Sequence, residues 1–170
     1  MSQPYFLGDP HWGHRNILKY RSQFSSIEEH DNTILENILN VSDKRAVLYL
    51  MGDCFFDMEA IRFLEEIRPR FMHVHWILGN HDTDSKLRQQ VFREVIKRDL
   101  VDNVHSLKKY HEFWLSHAPI HESELRGHKN IHGHTHENFV DDDRYVPVSL
   151  EHTGFKPISL QQIRDLTRSE

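Results

Sequence analysis

The chain has 170 residues, 38% hydrophobic and 28% charged, with 26 acidic residues against 21 basic ones for a net charge of −5. That length suits one domain over 1–170, and the apolar content excludes a disordered chain. The single cysteine, Cys54, excludes an internal disulfide framework, and an acidic balance without a basic stripe argues against a binder of duplex nucleic acid. In chain order, PYFLGD is a short apolar run stopped by Gly8 and Asp9, which suits a buried strand. HRNILKYR follows as a short helix, and residues 27–40 place Ile27, Ile34, Leu35, Ile38 and Leu39 at helical spacing. RAVLYLMGD repeats the first strand pattern. DMEAIRFLEEIRPR reads as a helix with Asp57 at its N-cap and Pro69 as its stop. FMHVHWILGNHD is a third strand and KLRQQVFREVIKRDL a third helix. Beyond residue 100, VDNVHSLKKY, EFWLSHAP, KNIHGHTH and RYVPVSLEH read as strands with little helix between them. PISLQQIRDLTR closes the chain as a helix capped by Ser159. This order predicts one two-layered α/β unit with two packed sheets.

No segment approaches the roughly 20 apolar residues of a membrane span, and MSQPYFLGD lacks the regions of a signal peptide, so a cytoplasmic location without a membrane partner is expected. The compositional outlier is histidine, at 15 residues. Histidine is the commonest metal ligand and titrates nearest neutral pH, which points to metal or proton chemistry. The apolar runs end in a repeated way: Asp9 and His11 follow the first, Asp53 the second, Asn80 and His81 the third. His117 follows EFWLS, and His134 and His136 follow KNI. Ligands of α/β folds gather beyond the carboxyl ends of strands, so these side chains are expected at one place. The donors are oxygen and nitrogen with no thiolate. They suit Mn, Fe, Ni, Co, Zn or Mg and not copper(I) or an iron–sulfur cluster. There are more of them than one tetrahedral ion needs, whereas two ions sharing a carboxylate would use them.

The set Asp9-Pro10-His11, Gly52-Asp53, Gly79-Asn80-His81-Asp82, His117 and Gly133-His134-Thr135-His136 resembles the five-part signature of the calcineurin-like metallophosphoesterase superfamily, in its order and over most of the chain. FLGDPHWGHRNILKY is also similar to a small single-domain branch found in bacteria and phages. The resemblance implies a four-layer α/β/β/α sandwich with two mixed sheets flanked by helices. It implies one divalent ion on Asp9, His11, Asp53 and His136, and a second on Asp53, Asn80, His117 and His134, with Mn the foremost metal. It further implies that a water activated between the ions attacks phosphorus in line, while His81 binds the phosphate and protonates the leaving oxygen. Phe56 stands where phosphoprotein phosphatases of the family carry the Asp that orients this histidine, so either Asp57 or Asp82 takes that role or His81 is held some other way. The phosphate-gripping Arg of those phosphatases is also missing, which disfavours a protein phosphatase.

The expected activity is therefore a phosphodiesterase acting on small phosphate esters of nucleotide or cyclic-nucleotide type, with Asp53, His81 and Asp82 catalytic. Asn80, His81, His14 and Arg15 are the expected substrate contacts. A nuclease on short single strands is the nearest alternative. An interaction module that has lost catalysis is another, against which the retention of His81 and every ligand argues. His73 and His75 read as structural. His30, His105, His111, His128 and His152 read as surface, and His121 and Arg126 as part of a surface loop. His132 reads as packed or supporting, with Gly133 letting the backbone turn after it.

Overall fold

The computed structural model describes residues 2–168. Strands β1 (Gln3–Leu7), β2 (Ala46–Leu50), β3 (His73–Ile77) and β4 (Asn103–His105) run parallel, and the two-residue β9 (Ile158–Ser159) joins β1 antiparallel, giving the order β4-β3-β2-β1-β9. A second sheet orders β5 (Leu107–Tyr110), β6 (Phe113–Ser116), β7 (Lys129–His132) and β8 (Tyr145–Pro147), antiparallel between β5 and β6 and parallel thereafter. β2 is buried at all five positions, which is why AVLYL lacks polar alternation.

Strand alternation divides the core into two layers. Leu7, Leu48 and Leu50 face α1 (Ile27–Asn40), α2 (Ile61–Ile67) and α3 (Lys86–Lys97), packing with Ile34, Ile38, Phe63, Leu64, Val91 and Val95. Phe6, Val47, Tyr49 and Met51 pack against Phe113, Leu115 and Ile131 between the sheets, with Leu160 and Ile163 of α6 (Leu160–Arg168). The outer face of the smaller sheet carries the loop containing α4 (Glu122–Leu125). Trp114 Nε1 donates to the Leu125 carbonyl and Tyr145 to the Ile120 carbonyl, fixing that thin outer layer. No helix among the described residues is long and apolar enough to cross a membrane.

Local chemistry explains the helix ends. Ser26 and Ser85 accept from Glu29 N and Arg88 N, capping α1 and α3. Ser159 Oγ accepts from Gln162 N while Gln162 Oε1 accepts from Ser159 N, a reciprocal cap that starts α6. Four segments depart from expectation. HRNILKYR forms only a 3-10 turn, Arg15–Lys19, and Asp57 caps the turn before α2 through Ala60 N. VDNVHSLKKY is two strands in different sheets, because the chain leaves the larger sheet at Ser106. RYVPVSLEH stops as a strand at Pro147 and turns into the short helix α5 (Leu150–Thr153), whose residue Glu151 reaches the ligand cluster.

Candidate metal centre

The five strand ends converge, and they do so through an uncommon backbone. Asp9, His11, Asp53, His134 and His136 all have left-handed φ, between 50° and 70°. Such a conformation costs an L residue about 1–2 kcal/mol each, and its concentration here points to function. Neighbouring groups hold these turns in place. The buried Asp82 carboxylate accepts from Asp53 N, Cys54 N, Gly79 N and Trp76 Nε1 at 2.9, 2.8, 2.6 and 3.2 Å. Burial pushes its pKa up to about 6 against those stabilising bonds. Asp53 Oδ1 accepts from His81 N, and Asp9 Oδ2 accepts from His134 N and Ser149 Oγ. The approach is so close at Gly79 that a Cβ there would lie 2.2 Å from Asp53 Oδ1.

The resulting cluster contains two groups able to hold an ion, Asp9 with His11 and His136, and Asp53 with His117 and His134. Within each group the ligand atoms lie within 4.8 Å of one another. Asp9 Oδ1 is 3.9 Å from His11 Nε2 and 4.0 Å from His136 Nε2. Asp53 Oδ2 is 3.2 Å from His117 Nε2 and 4.0 Å from His11 Nε2, so this oxygen faces both groups. Asn80 Oδ1 is 3.0 Å from His117 Nε2, which puts it beside the second group. Asp9 Oδ1 and His11 Nε2 are buried with no hydrogen-bond partner. A buried carboxylate oxygen and imidazole nitrogen left so are costly unless a cation sits between them, and the donor set fits a divalent ion. Burial opposes a charge on His117, but Asp53 and Asp9 push its pKa up to about 9, showing how strongly the cluster favours added positive charge. Cys54 is buried beside Asp53, and burial pushes its thiol well up, so no thiolate contributes.

Groups behind the ligands fix their ring orientation. His117 Nδ1 donates to the Met51 carbonyl at 2.8 Å, which turns Nε2 toward Asp53, Asn80 and His134. His136 Nδ1 meets Glu151 Oε1 at 3.1 Å. Burial opposes ionisation of Glu151, yet hydrogen bonds from His136 and Arg21 bring its pKa down to about 2. His11 Nδ1 lies 3.1 Å from His14 Nδ1, and both rings stack on Phe56, at 4.6 and 4.2 Å between centroids. His81 stands 6.4 Å from the His11 ring, with Nδ1 2.6 Å from Asp84 Oδ2. Arg88 pairs with Asp84 and lies over Phe56 at 4.4 Å.

The structure thus brings Asp9, His11, Asp53, Asn80, His81, His117, His134, His136 and His14 together, but changes several roles. The Asp82 carboxylate organises backbone, and Asp57 lies under Gly13; the partner of the His81 ring is Asp84. Arg15 lines a separate small cavity with Asp31 and Asp57. His30 is fully buried, not on the surface, because it bridges Arg21 and Asp31. His132 is buried against Tyr145, as a packed side chain. The turn after it comes from left-handed His134 and His136. Gly133 instead makes room for Asp9, since a Cβ there would sit 2.7 Å from Asp9 Oδ2. Arg21, Glu151, Asp84 and Arg88 were not anticipated; Arg21 and Glu151 lie 130 positions apart with no motif to join them.

A cleft of about 760 Å³ opens beside the first group, lined by Ile17, Lys19, Tyr20, Thr135 and Asn138 together with His11, His14 and His136. A shallower one runs along Asn80, His117 and His134. No protein-family model matches the chain. It is similar to an uncharacterized protein of Methanocaldococcus jannaschii, 27% identical over 173 residues that cover 96% of this chain and 90% of the relative. The Gene 66 protein of Mycobacterium phage L5 is also 27% identical, over 98% of this chain and 94% of its own length. Among solved structures, a protein of unknown function from Aquifex aeolicus shares the fold, with a TM-score of 0.73 at 23% identity over 98% of this chain and 100% of that one.

Proposed function

We propose that this chain is a dinuclear metal-dependent phosphoesterase that hydrolyses small phosphate diesters of nucleotide or cyclic-nucleotide type. The observation that carries the reading is the pair of ligand groups meeting at Asp53, with His81 beside them and paired to Asp84. Asp9, His11 and His136 would hold one divalent ion, His117, His134 and Asn80 the other, and Asp53 both. Mn is the first metal to test, ahead of Fe, Ni, Zn, Co and Mg. Bound there, two such ions supply charge for the phosphoryl oxygens and an activated water at neutral pH. The signature from Asp9 to His136, which resembles that of calcineurin-like phosphoesterases, supports the same reading.

The chain's own residues do the rest. His81 donates from Nδ1 to Asp84, so the imidazolium is steadied while its Nε2 proton passes to the leaving alkoxide oxygen. After transfer the ring keeps its Nδ1 proton on Asp84. His14, stacked on Phe56, brings a second ring nitrogen to the phosphate, and Asn80 offers its amide. The cleft lined by Ile17 and Tyr20 falls within the size range of small-ligand pockets and takes the organic part of the ester. The test is hydrolysis of bis(p-nitrophenyl) phosphate with Mn²⁺, with metal content measured on the same samples. Wild type turns over, and His81→Ala keeps both ions but loses turnover of a diester with an alkoxide leaving group. Wild-type protein that holds two ions and cleaves no phosphodiester would falsify the reading in favour of a non-catalytic module.

A further inference from the structure

Behind the ligand cluster lies a run of buried polar groups that the hydrolytic steps do not use. Glu151 Oε1 accepts from His136 Nδ1 at 3.1 Å and from Arg21 Nε at 2.8 Å. Arg21 is 1% exposed, and its remaining nitrogens donate to the carbonyls of Asp9 at 2.8 Å and Pro10 at 3.4 Å and to His30 Nε2 at 2.9 Å. His30 passes its Nδ1 proton toward Asp31 Oδ1 at 2.7 Å, and Asp31 Oδ2 accepts from Gly13 N at 2.9 Å. A buried guanidinium is tolerated only when fully partnered, and here its partners include two consecutive backbone carbonyls of the first ligand turn.

The donor and acceptor roles follow without choice. An arginine only donates, so His30 Nε2 accepts. An ionised carboxylate only accepts, so His136 donates from Nδ1 and keeps its Nε2 lone pair, 4.0 Å from Asp9 Oδ1. Among the described residues the second ligand group has no such backing. His117 leans on the Met51 backbone carbonyl, and the exposed His134 has its ring bonded to His117.

We infer that Glu151 and Arg21 are positioning residues for the first ion site alone, Glu151 holding His136 in the Nδ1–H tautomer and Arg21 holding both Glu151 and the Asp9 backbone. The inference rests on the two-ion reading and assigns its two sites different supports. Loss of a carboxylate behind a metal-bound histidine typically weakens metal by about 10- to 100-fold. Calorimetric titration of the metal-free full chain with Mn²⁺ should give two equivalents in the wild type. In Glu151→Ala one should weaken by about that factor while the other stays unchanged. Equal weakening of both, or of neither, overturns the inference. The metal-free protein gives an independent readout at alkaline pH. The ¹⁵N shifts of the His136 ring should report Nδ1–H in wild type and a mixture with Nε2–H in Glu151→Ala, and Nδ1–H retained in the variant overturns the inference too. Glu151→Gln keeps the shape and a weaker acceptor, so it should weaken the same single equivalent by less. It replaces the alanine variant as the test if that protein does not fold. Wild type binding fewer than two ions defeats the dinuclear reading, while the tautomer measurement still decides the role of Glu151.

Discussion

Asp84→Asn separates an orienting role from a structural one. In the structure Asp84 Oδ2 lies 2.6 Å from His81 Nδ1, and the two side chains are 37% and 44% exposed. An ion pair so open to water contributes less than about 1 kcal/mol, so the variant should fold, bind metal and melt within a few degrees of wild type. Its effect on turnover should be far larger. Aspartate accepts the Nδ1 proton, whereas the asparagine amide can donate to Nδ1 and favour the tautomer that points the wrong nitrogen at the leaving group. General acid catalysis is worth about 10²–10⁴, and losing its alignment should lower kcat by roughly 10², or about 2.7 kcal/mol at 1.36 kcal/mol per tenfold. The loss should be small for bis(p-nitrophenyl) phosphate, whose leaving group needs little protonation, and full for a diester with an alkoxide leaving group. Unchanged kcat on the alkoxide ester, or equal loss on both substrates, would refute the orienting role. A large fall in melting temperature or metal content would show that Asp84 acts structurally instead.

Gly79→Ala should cost about 1–3 kcal/mol and weaken both ions held through Asp53, because the new methyl would meet Asp53 Oδ1 at 2.2 Å and its backbone N at 2.5 Å. Chemical denaturation with metal analysis checks it, and full metal content at wild-type stability would count against the close approach. Asp53→Asn should lose both ions together, since Oδ2 faces His11 and His117 alike; retention of one ion at wild-type affinity would refute the bridging assignment. Away from the site, burial brings the His75 pKa down from 6.5 to about 4. The unfolded chain therefore binds the proton more tightly. The contribution of His75 to stability is complete above pH 6.5 and is lost as pH falls toward 4. The ring should titrate near pH 4 by NMR, and His75→Phe should flatten stability over that window; a midpoint near 6.5 would contradict this.

The sequence made the strand ends legible because each apolar run breaks at a polar ligand, and the buried positions of β1 and β2 are apolar up to their last residues. The pairing of α1, α2 and α3 with the larger sheet follows from helical spacing in the same way. What lay outside that logic was set by backbone conformation and by distant partners. Nothing in GNHDTD tells whether Asp82 or Asp84 meets His81. The left-handed turn at Asp53 and the convergence of four N–H groups take Asp82 away from it. The break at Ser106 is invisible because both halves of VDNVHSLKKY are good strand sequence, and only their partners differ. Arg21 and His30 look like ordinary polar residues of a turn and a helix until Glu151 arrives on α5 to complete their burial.

The central claim is two ions meeting at one carboxylate, and a crystal structure of Mn²⁺-loaded protein with anomalous data at the manganese edge tests it most directly. Two anomalous peaks are expected, one bonded to Asp9, His11 and His136 and one to Asn80, His117 and His134, with Asp53 bonded to both. A single peak, or two peaks that leave Asp53 bound to only one of them, would contradict the account.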